Sequence, residues 1–313
     1  MEKVYSTCDK LIDEVSKAVV GKNNVLAYVM AGILSDGHML IEDFPGLAKT
    51  LMAKTFAKTL GCTFRRVQFT PDLLPADILG TYVFEEKTSA FKLRAGPIFT
   101  NILLADEINR APPKTQSALL EAMQEKQVTM EGVTHKLPEP FIVLATQNPI
   151  EYEGTYPLPE AQIDRFMMRL KIGYPNRKDE EEIIKRRKDR KKDDVDVNTV
   201  ADPETVVEMQ KTLENVHIDD SIQKYIVEIV VRTREDPRML IGASPRGSIS
   251  LFKLSRAFAI LNKRDYVIPD DVKNVIIPVL AHRMILKPES RIQGIMTEDI
   301  LRKIMNEVPV PAL

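Results

Sequence analysis

Residues 38–50 read HMLIEDFPGLAKT, and the reading of this stretch decides the fold. HMLIE is a short apolar run with strand character, and a tight Pro45-Gly46 turn follows it. The chain then enters TLMAKTFAKTLG, apolar at helical spacing and stopped at Gly61. A strand turning directly into a helix that opens with Lys49-Thr50 is the layout of a phosphate-binding loop. Such a loop offers backbone N–H groups at a helix N-terminus, a lysine for the terminal phosphates and a hydroxyl for Mg²⁺. The usual pattern is G-x-x-x-x-G-K-[ST], and here Asp43 and Ala48 stand at the two glycine positions. Gly46 still supplies flexibility. Ala48 keeps its N–H and adds a methyl. A left-handed backbone at Ala48 would cost about 1–2 kcal/mol, whereas a right-handed one asks only for room. Alone, the loop is balanced between a nucleotide cradle and an ordinary strand-to-helix turn.

The neighbouring motifs tip that balance. ILLADE (102–107) is an apolar strand ending in two adjacent acids. At a strand's C-terminal edge, Asp106 is placed to hold the Mg²⁺ shell and Glu107 to orient and deprotonate an attacking water. FIVLAT (141–146) is another continuous apolar run, of the kind buried on both faces of a parallel sheet. Asn148, just beyond it, offers an amide to position that water, although by itself it would be only a turn residue before Pro149. Asp164-Arg165-Phe166 precedes a weaker last strand at 166–172. Arg165 has no obvious local partner, so it suits transition-state charge on a neighbouring subunit's phosphate. Arg110, in INRAPP, is another arginine placed to face a neighbour. Arg246 starts a helix opened by Ser244-Pro245 and is expected to reach the same phosphates from the C-terminal part of the chain.

Around these motifs the pattern predicts an α/β layered domain over residues 1–175, with helices at 2–20, 23–35 and 114–127 and a further strand, CTFRRVQF, at 62–69. Two alternating stretches, 81–96 around a Glu-Lys-Thr-Ser turn and 127–137 around Glu131-Gly132, read as hairpin insertions. Residues 176–200 read as a charged helix and linker; interleaved acids and bases argue for a solvated face rather than a nucleic-acid patch. Residues 201–313 show helical patterns only, at about 203–215, 219–235, 245–263, 269–285 and 297–307, which predicts an all-helical lid.

Composition narrows the class. The 313 residues carry a net charge of −1, which argues against an electrostatic nucleic-acid binder. No aromatic-plus-basic stripe suited to base stacking is evident. Cys8 and Cys62 lack CxxC spacing, and the N-terminus has no apolar signal core, so the expectation is a cytoplasmic protein with reduced thiols. No run approaches the length of a membrane span. His38, His135, His217 and His282 are scattered, so no metal other than Mg²⁺ is expected. The methionines, among them Met30, Met52 and Met123, fall within apolar helical patterns and read as core fillers.

The ordered segments FPGLAKT, LLADEINRAPPKTQSALLEAMQE, ATQNPIEYEGTYPLPEAQIDRF and GASPRG strongly resemble the MoxR family of AAA+ ATPases, from about Val20 to His282. That resemblance implies an AAA+ P-loop core, a parallel sheet between helices, followed by a helical lid. It implies ATP and Mg²⁺ as ligands and Pro45, Gly46, Leu47, Ala48, Lys49, Thr50 and Leu51 as the nucleotide loop. Thr50 and Asp106 are implied at the metal, Glu107 as the base, Asn148 as the first sensor, Arg165 as the arginine finger and Arg246 as the second sensor. The family accepts an acid before the Pro-Gly, so Asp43 fits; Ala48 departs from it. The implied function is ATP hydrolysis by a hexameric ring that remodels protein complexes, often with von Willebrand factor A-domain partners, through hairpins that face the pore. A nucleic-acid motor and a metal-chelatase motor subunit are the alternatives.

Overall fold

A computed structural model describes residues 1–87, 89–149 and 154–311. Thr88, in the expected first hairpin turn, and residues 150–153, inside the ATQNPIEYEG segment, lie outside the described residues. Two helices come first, α1 (Glu2–Ser16) and α2 (Asn23–Leu34). Then follow β1 (Met39–Glu42), α3 (Lys49–Thr59), β2 (Phe64–Gln68), α4 (Pro75–Leu79), β3 (Gly80–Glu85), β4 (Ala90–Ala95) and β5 (Ile102–Asp106). Next are α5 (Pro113–Glu125), β6 (Gln127–Met130), β7 (Val133–Lys136), β8 (Ile142–Gln147), α6 (Glu160–Ile163) and β9 (Met168–Leu170). The charged stretch forms α7 (Arg177–Arg190), and beyond it come α8 (Pro203–Thr212), α9 (Asp220–Glu235), β10 (Met239–Ile241) and α10 (Pro245–Leu261). The chain closes with α11 (Pro269–Leu280), β11 (Ile285–Leu286), α12 (Pro288–Ile292) and α13 (Thr297–Glu307).

Five strands form a parallel sheet in the order β2-β5-β8-β1-β9. Because strand side chains alternate, each strand feeds two cores. Met39, Ile41, Ile102, Leu104, Ile142 and Leu144 point to one face and join a cluster with α1, α2, α3 and the C-terminal helices. Leu40, Leu103, Ala105, Val143 and Ala145 point to the other, against Leu119, Leu120 and Met123 of α5. Burial on both faces explains why β5 and β8 read as unbroken apolar runs. Met30, Met52 and Met123 are all buried in these cores.

Both expected hairpins form, β3 with β4 and β6 with β7, each antiparallel. They touch each other: the Tyr82 hydroxyl and His135 Nε2 are hydrogen-bonded at 3.1 Å. Helix α7 buries none of its residues, places Asp179 and Glu180 in its first turn and ends in Arg187, Lys188 and Arg190. That arrangement complements the helix dipole, as a solvated helix requires.

The C-terminal lid is helical, with one addition to the expected pattern. The helix read at 269–285 stops at Leu280, a single 3₁₀ turn carries the chain to Arg283, and β11 pairs antiparallel with β10. RMLIG and HRMILK are too short for their period to be read, and only their pairing makes them strands. Among the described residues, no helix is long and apolar enough to cross a membrane.

Candidate functional site

The loop after β1 does what its sequence makes physically difficult. Ala48 adopts φ 58°, ψ 21° and forms the N-cap of α3. This left-handed conformation is the one that a second glycine would take without strain. Gly46 also lies at positive φ, 85°, and a Cβ built there meets nothing within 4 Å. The loop therefore faces open space. That space is a cavity of about 380 Å³ lined by Pro45, Gly46, Ala48, Lys49, Thr50, Leu51, Arg66, Gln68, Asp106, Glu107 and Asn148. Of the loop residues expected to meet a nucleotide, Leu47 alone is not part of the lining; it is buried in the hydrophobic core.

Asp43, at the first glycine position, has a structural task. Its Oδ2 accepts the backbone N–H groups of Ile172 and Gly173, each at 2.6 Å, and its Oδ1 accepts that of Phe44 at 2.9 Å. A buried carboxylate needs such donors, and here they tie the start of the loop to the segment leaving β9. Glycine has no side chain to make that tie. The Lys49 ammonium donates to the Asp43 carbonyl at 2.6 Å. Partial burial holds the lysine below the usual lysine range, with the charges of Asp43, Asp106 and Glu107 opposing that pull.

The acids at the end of β5 are held by β2 and β8. In the parallel register Gln68 lies beside Asp106. Arg66 donates to Asp106 Oδ2 from Nε at 3.0 Å and from Nη2 at 2.6 Å, and the Thr146 hydroxyl donates to Oδ1 at 2.5 Å. Glu107 sits in a left-handed conformation, φ 57°, ψ 51°, with its N–H donating to Thr146 Oγ1 at 2.8 Å. Strain of this kind gathers at functional positions. Gln68 Nε2 donates to Glu107 Oε2 at 2.7 Å, and Arg110 Nε stands 3.0 Å from the same oxygen. Arg110 is thus engaged with Glu107 of its own chain. Asn148 is buried and lines the cavity from the end of β8.

A polyphosphate with a hard divalent cation fits this donor set. Backbone N–H groups at the start of an eleven-residue helix and Lys49 match the anion, and the Thr50 hydroxyl and Asp106 carboxylate are oxygen ligands suited to Mg²⁺. Among the described residues, no group of three or more His, Cys, Asp or Glu side chains is arranged for a metal.

The two remaining arginines lie elsewhere. Arg165 and Arg246 share a second cavity, of about 310 Å³, with Lys126, Asp164, Lys253 and Arg283. Arg165 Nη1 donates to the Leu120 carbonyl at 3.0 Å, and Arg246 stands 3.8 Å from Asp164. The structure thus places Arg246 beside Arg165 and apart from the phosphate loop. The Ser-Pro cap starts α10 beside Asp164, so its first turn faces the Asp164-Arg165 segment rather than the phosphate loop. Arg66, Gln68 and Thr146 join the site without having been expected from the sequence. For the first two a signal existed, because polar residues at 66 and 68 alternate with buried Val67 and so share one face of β2.

Residues 38–168 match the model of the ATPase family associated with various cellular activities (AAA), and residues 231–304 match the AAA lid domain. The chain is 48% identical over 311 residues to the Bacillus subtilis protein YeaC, covering 99% of this chain and 97% of that one. It is 41% identical over 314 residues to chaperone MoxR1 of Mycobacterium tuberculosis, covering 97% and 82%. A crystal structure of a candidate ATPase from Cytophaga hutchinsonii superimposes with a TM-score of 0.93 at 44% identity, covering 99% and 97%. With a phosphate loop, two strand-end acids, a polar residue beyond the next strand and a helical lid in this order, the chain belongs to the MoxR family of AAA+ ATPases.

Proposed function

We propose that this protein is a cytoplasmic, Mg²⁺-dependent ATPase that works as a ring, most simply a hexamer, and remodels a protein client such as a von Willebrand factor A-domain protein. The observation that carries the reading is the convergence of Lys49, Thr50, Asp106, Glu107 and Asn148 on one cavity at the start of α3. The loop N–H groups and Lys49 bind the phosphates. Mg²⁺, held by Thr50 and Asp106, would supply charge neutralisation across the terminal phosphate oxygens. Asn148 orients the attacking water, and the Glu107 carboxylate accepts its proton, steered by Gln68 and Arg110. Arg165 and Arg246 stand together away from this cavity, which supports their service to the nucleotide of a neighbouring subunit. Turnover then depends on assembly. The exposed Phe84 and Phe91, whose rings meet edge-on at 5.4 Å on the β3–β4 hairpin, support a client contact there.

Steady-state ATP hydrolysis measured against protein concentration tests the proposal. Specific activity is expected to rise with concentration. Glu107→Gln and Arg165→Ala should each lose at least about a hundredfold, in line with the loss of a general base or an arginine finger. Undiminished turnover in both variants would sink the mechanism. If Arg165→Ala alone stays active, the finger is another residue.

A further inference from the structure

Asp164 immediately precedes Arg165 on the core side, yet its carboxylate is held by the lid. Arg283 Nη1 donates to Oδ1 at 2.9 Å, the Ser244 hydroxyl lies 3.1 Å from Oδ2 and 3.2 Å from Oδ1, and Arg246 Nη1 stands 3.8 Å from Oδ2. The Arg283 side chain is only 1% exposed. Its other N–H groups donate to the carbonyls of Phe166 at 2.6 Å, Met167 at 3.2 Å and Val279 at 2.8 Å, and to Ser250 Oγ at 3.3 Å. Segment 164–167, which includes Arg165, is thus fastened to α10 and α11 by a buried guanidinium and a capping serine. On the core side, Arg165 donates to the Leu120 carbonyl at 3.0 Å, the Met167 N–H donates to the His38 carbonyl at 2.8 Å, and Phe166 is buried against the sheet.

We infer that Asp164 is the positioning residue that joins Arg165, on the core, and Arg246, on the lid, into one arginine face across the core–lid seam. The inference rests on the ATPase reading above and adds to it how the arginines presented to a neighbour respond to lid position. One carboxylate receives Arg283, Ser244 and Arg246 together, so it fixes the start of α10, which carries Arg246, relative to the turn that carries Arg165. A shift of the lid relative to the sheet pulls on this joint and changes how the two guanidinium groups stand toward each other. An asparagine of the same shape offers one acceptor oxygen and turns N–H donors toward cations. It is therefore expected to break this face while leaving the phosphate cavity untouched.

Subunit-mixing assays test this. Asp164→Asn should lose turnover at least tenfold while binding a fluorescent ATP analogue within about twofold of the parent. Mixed before assembly with Glu107→Gln subunits, it should recover activity, because the partner supplies an intact arginine face to an intact phosphate cavity. Arg165→Ala mixed with Glu107→Gln is the reference pair. If the reference pair recovers and the Asp164→Asn pair does not, Asp164 does not act through the arginine face and the proposal falls. If neither pair recovers, the trans-arginine reading falls and takes this proposal with it. Full activity of Asp164→Asn alone also overturns it. Ser244→Ala strands no buried charge, so it provides a variant independent of folding. It should lower turnover several-fold, keep nucleotide affinity and be rescued by the same mixing, and unchanged turnover would count against the proposal.

Discussion

Ala48 holds a left-handed backbone that costs an L-residue about 1–2 kcal/mol, and it does so at the N-cap of the helix that presents Lys49 and Thr50. The conformation is imposed by the turn, not chosen by the residue. Replacing Ala48 with glycine removes the strain but adds about 0.5–1 kcal/mol of unfolded-state freedom. Ala48→Gly is therefore expected to raise stability by about 0.5–1 kcal/mol, seen as a higher urea midpoint at unchanged slope. A lower midpoint would mean that methyl contacts outweigh the strain. Glu107 shows the same economy: a non-glycine residue in the left-handed region whose N–H is satisfied by Thr146. In both places the residue type was visible in the sequence, and the backbone conformation was not.

Among the elements, the long periodic ones were the legible ones. Strands β5 and β8 and helix α5 fall within a residue or two of their expected ranges. The short helices α4, α6 and α12 have five residues or fewer and no amphipathic period to read. The hairpins were readable from alternation, but their anchoring was not. At the foot of β3–β4 the backbone passes itself closely, and a Cβ on Gly96 would lie 2.2 Å from the Ile78 carbonyl oxygen and 2.5 Å from the Gly80 nitrogen. Both neighbours are backbone, so neither yields cheaply. Gly96→Ala should destabilise by about 1–3 kcal/mol and open the hairpin to limited proteolysis near residues 80–96. Unaltered cleavage and an unshifted urea midpoint would show that the hairpin foot is looser than this packing.

At the scale of the molecule, one hydrophobic cluster runs from the sheet through α1 and α2 into the lid helices α9, α10 and α11. Core and lid are therefore expected to lose structure together. Two buried histidines make that stability sensitive to acid. His38 Nε2 donates to the Met123 carbonyl at 2.8 Å, and its Nδ1 accepts the Val143 N–H at 3.0 Å, so the ring is neutral. Burial pulls its pKa from 6.5 down to about 4, against the opposing influence of the Met123 carbonyl. His282 is pushed well below 6.5, by burial first and then by the Arg283 and Arg169 charges. The unfolded chain protonates these rings near pH 6.5 and the folded chain protonates His38 only near pH 4. Between those values the unfolded state binds more protons, and stability falls as pH falls. His38 alone should account for about 2 kcal/mol of loss between pH 7 and pH 5. Urea midpoints at the two pH values should show it, and His38→Gln should flatten the slope. An equal slope in the variant would place the acid sensitivity elsewhere.

Sequence alone was enough for the fold class and the parallel strands, because apolar runs of fixed length and ordered motifs follow from local periodicity and residue chemistry. The packed structure set the backbone of Ala48, the use of Asp43 as a tie to Ile172 and Gly173, the β10–β11 pair in the lid, and the grouping of Arg246 with Arg165 around Asp164. Each of these depends on which distant segments the packed sheet and lid bring within hydrogen-bonding reach. A linear pattern carries no record of that distance.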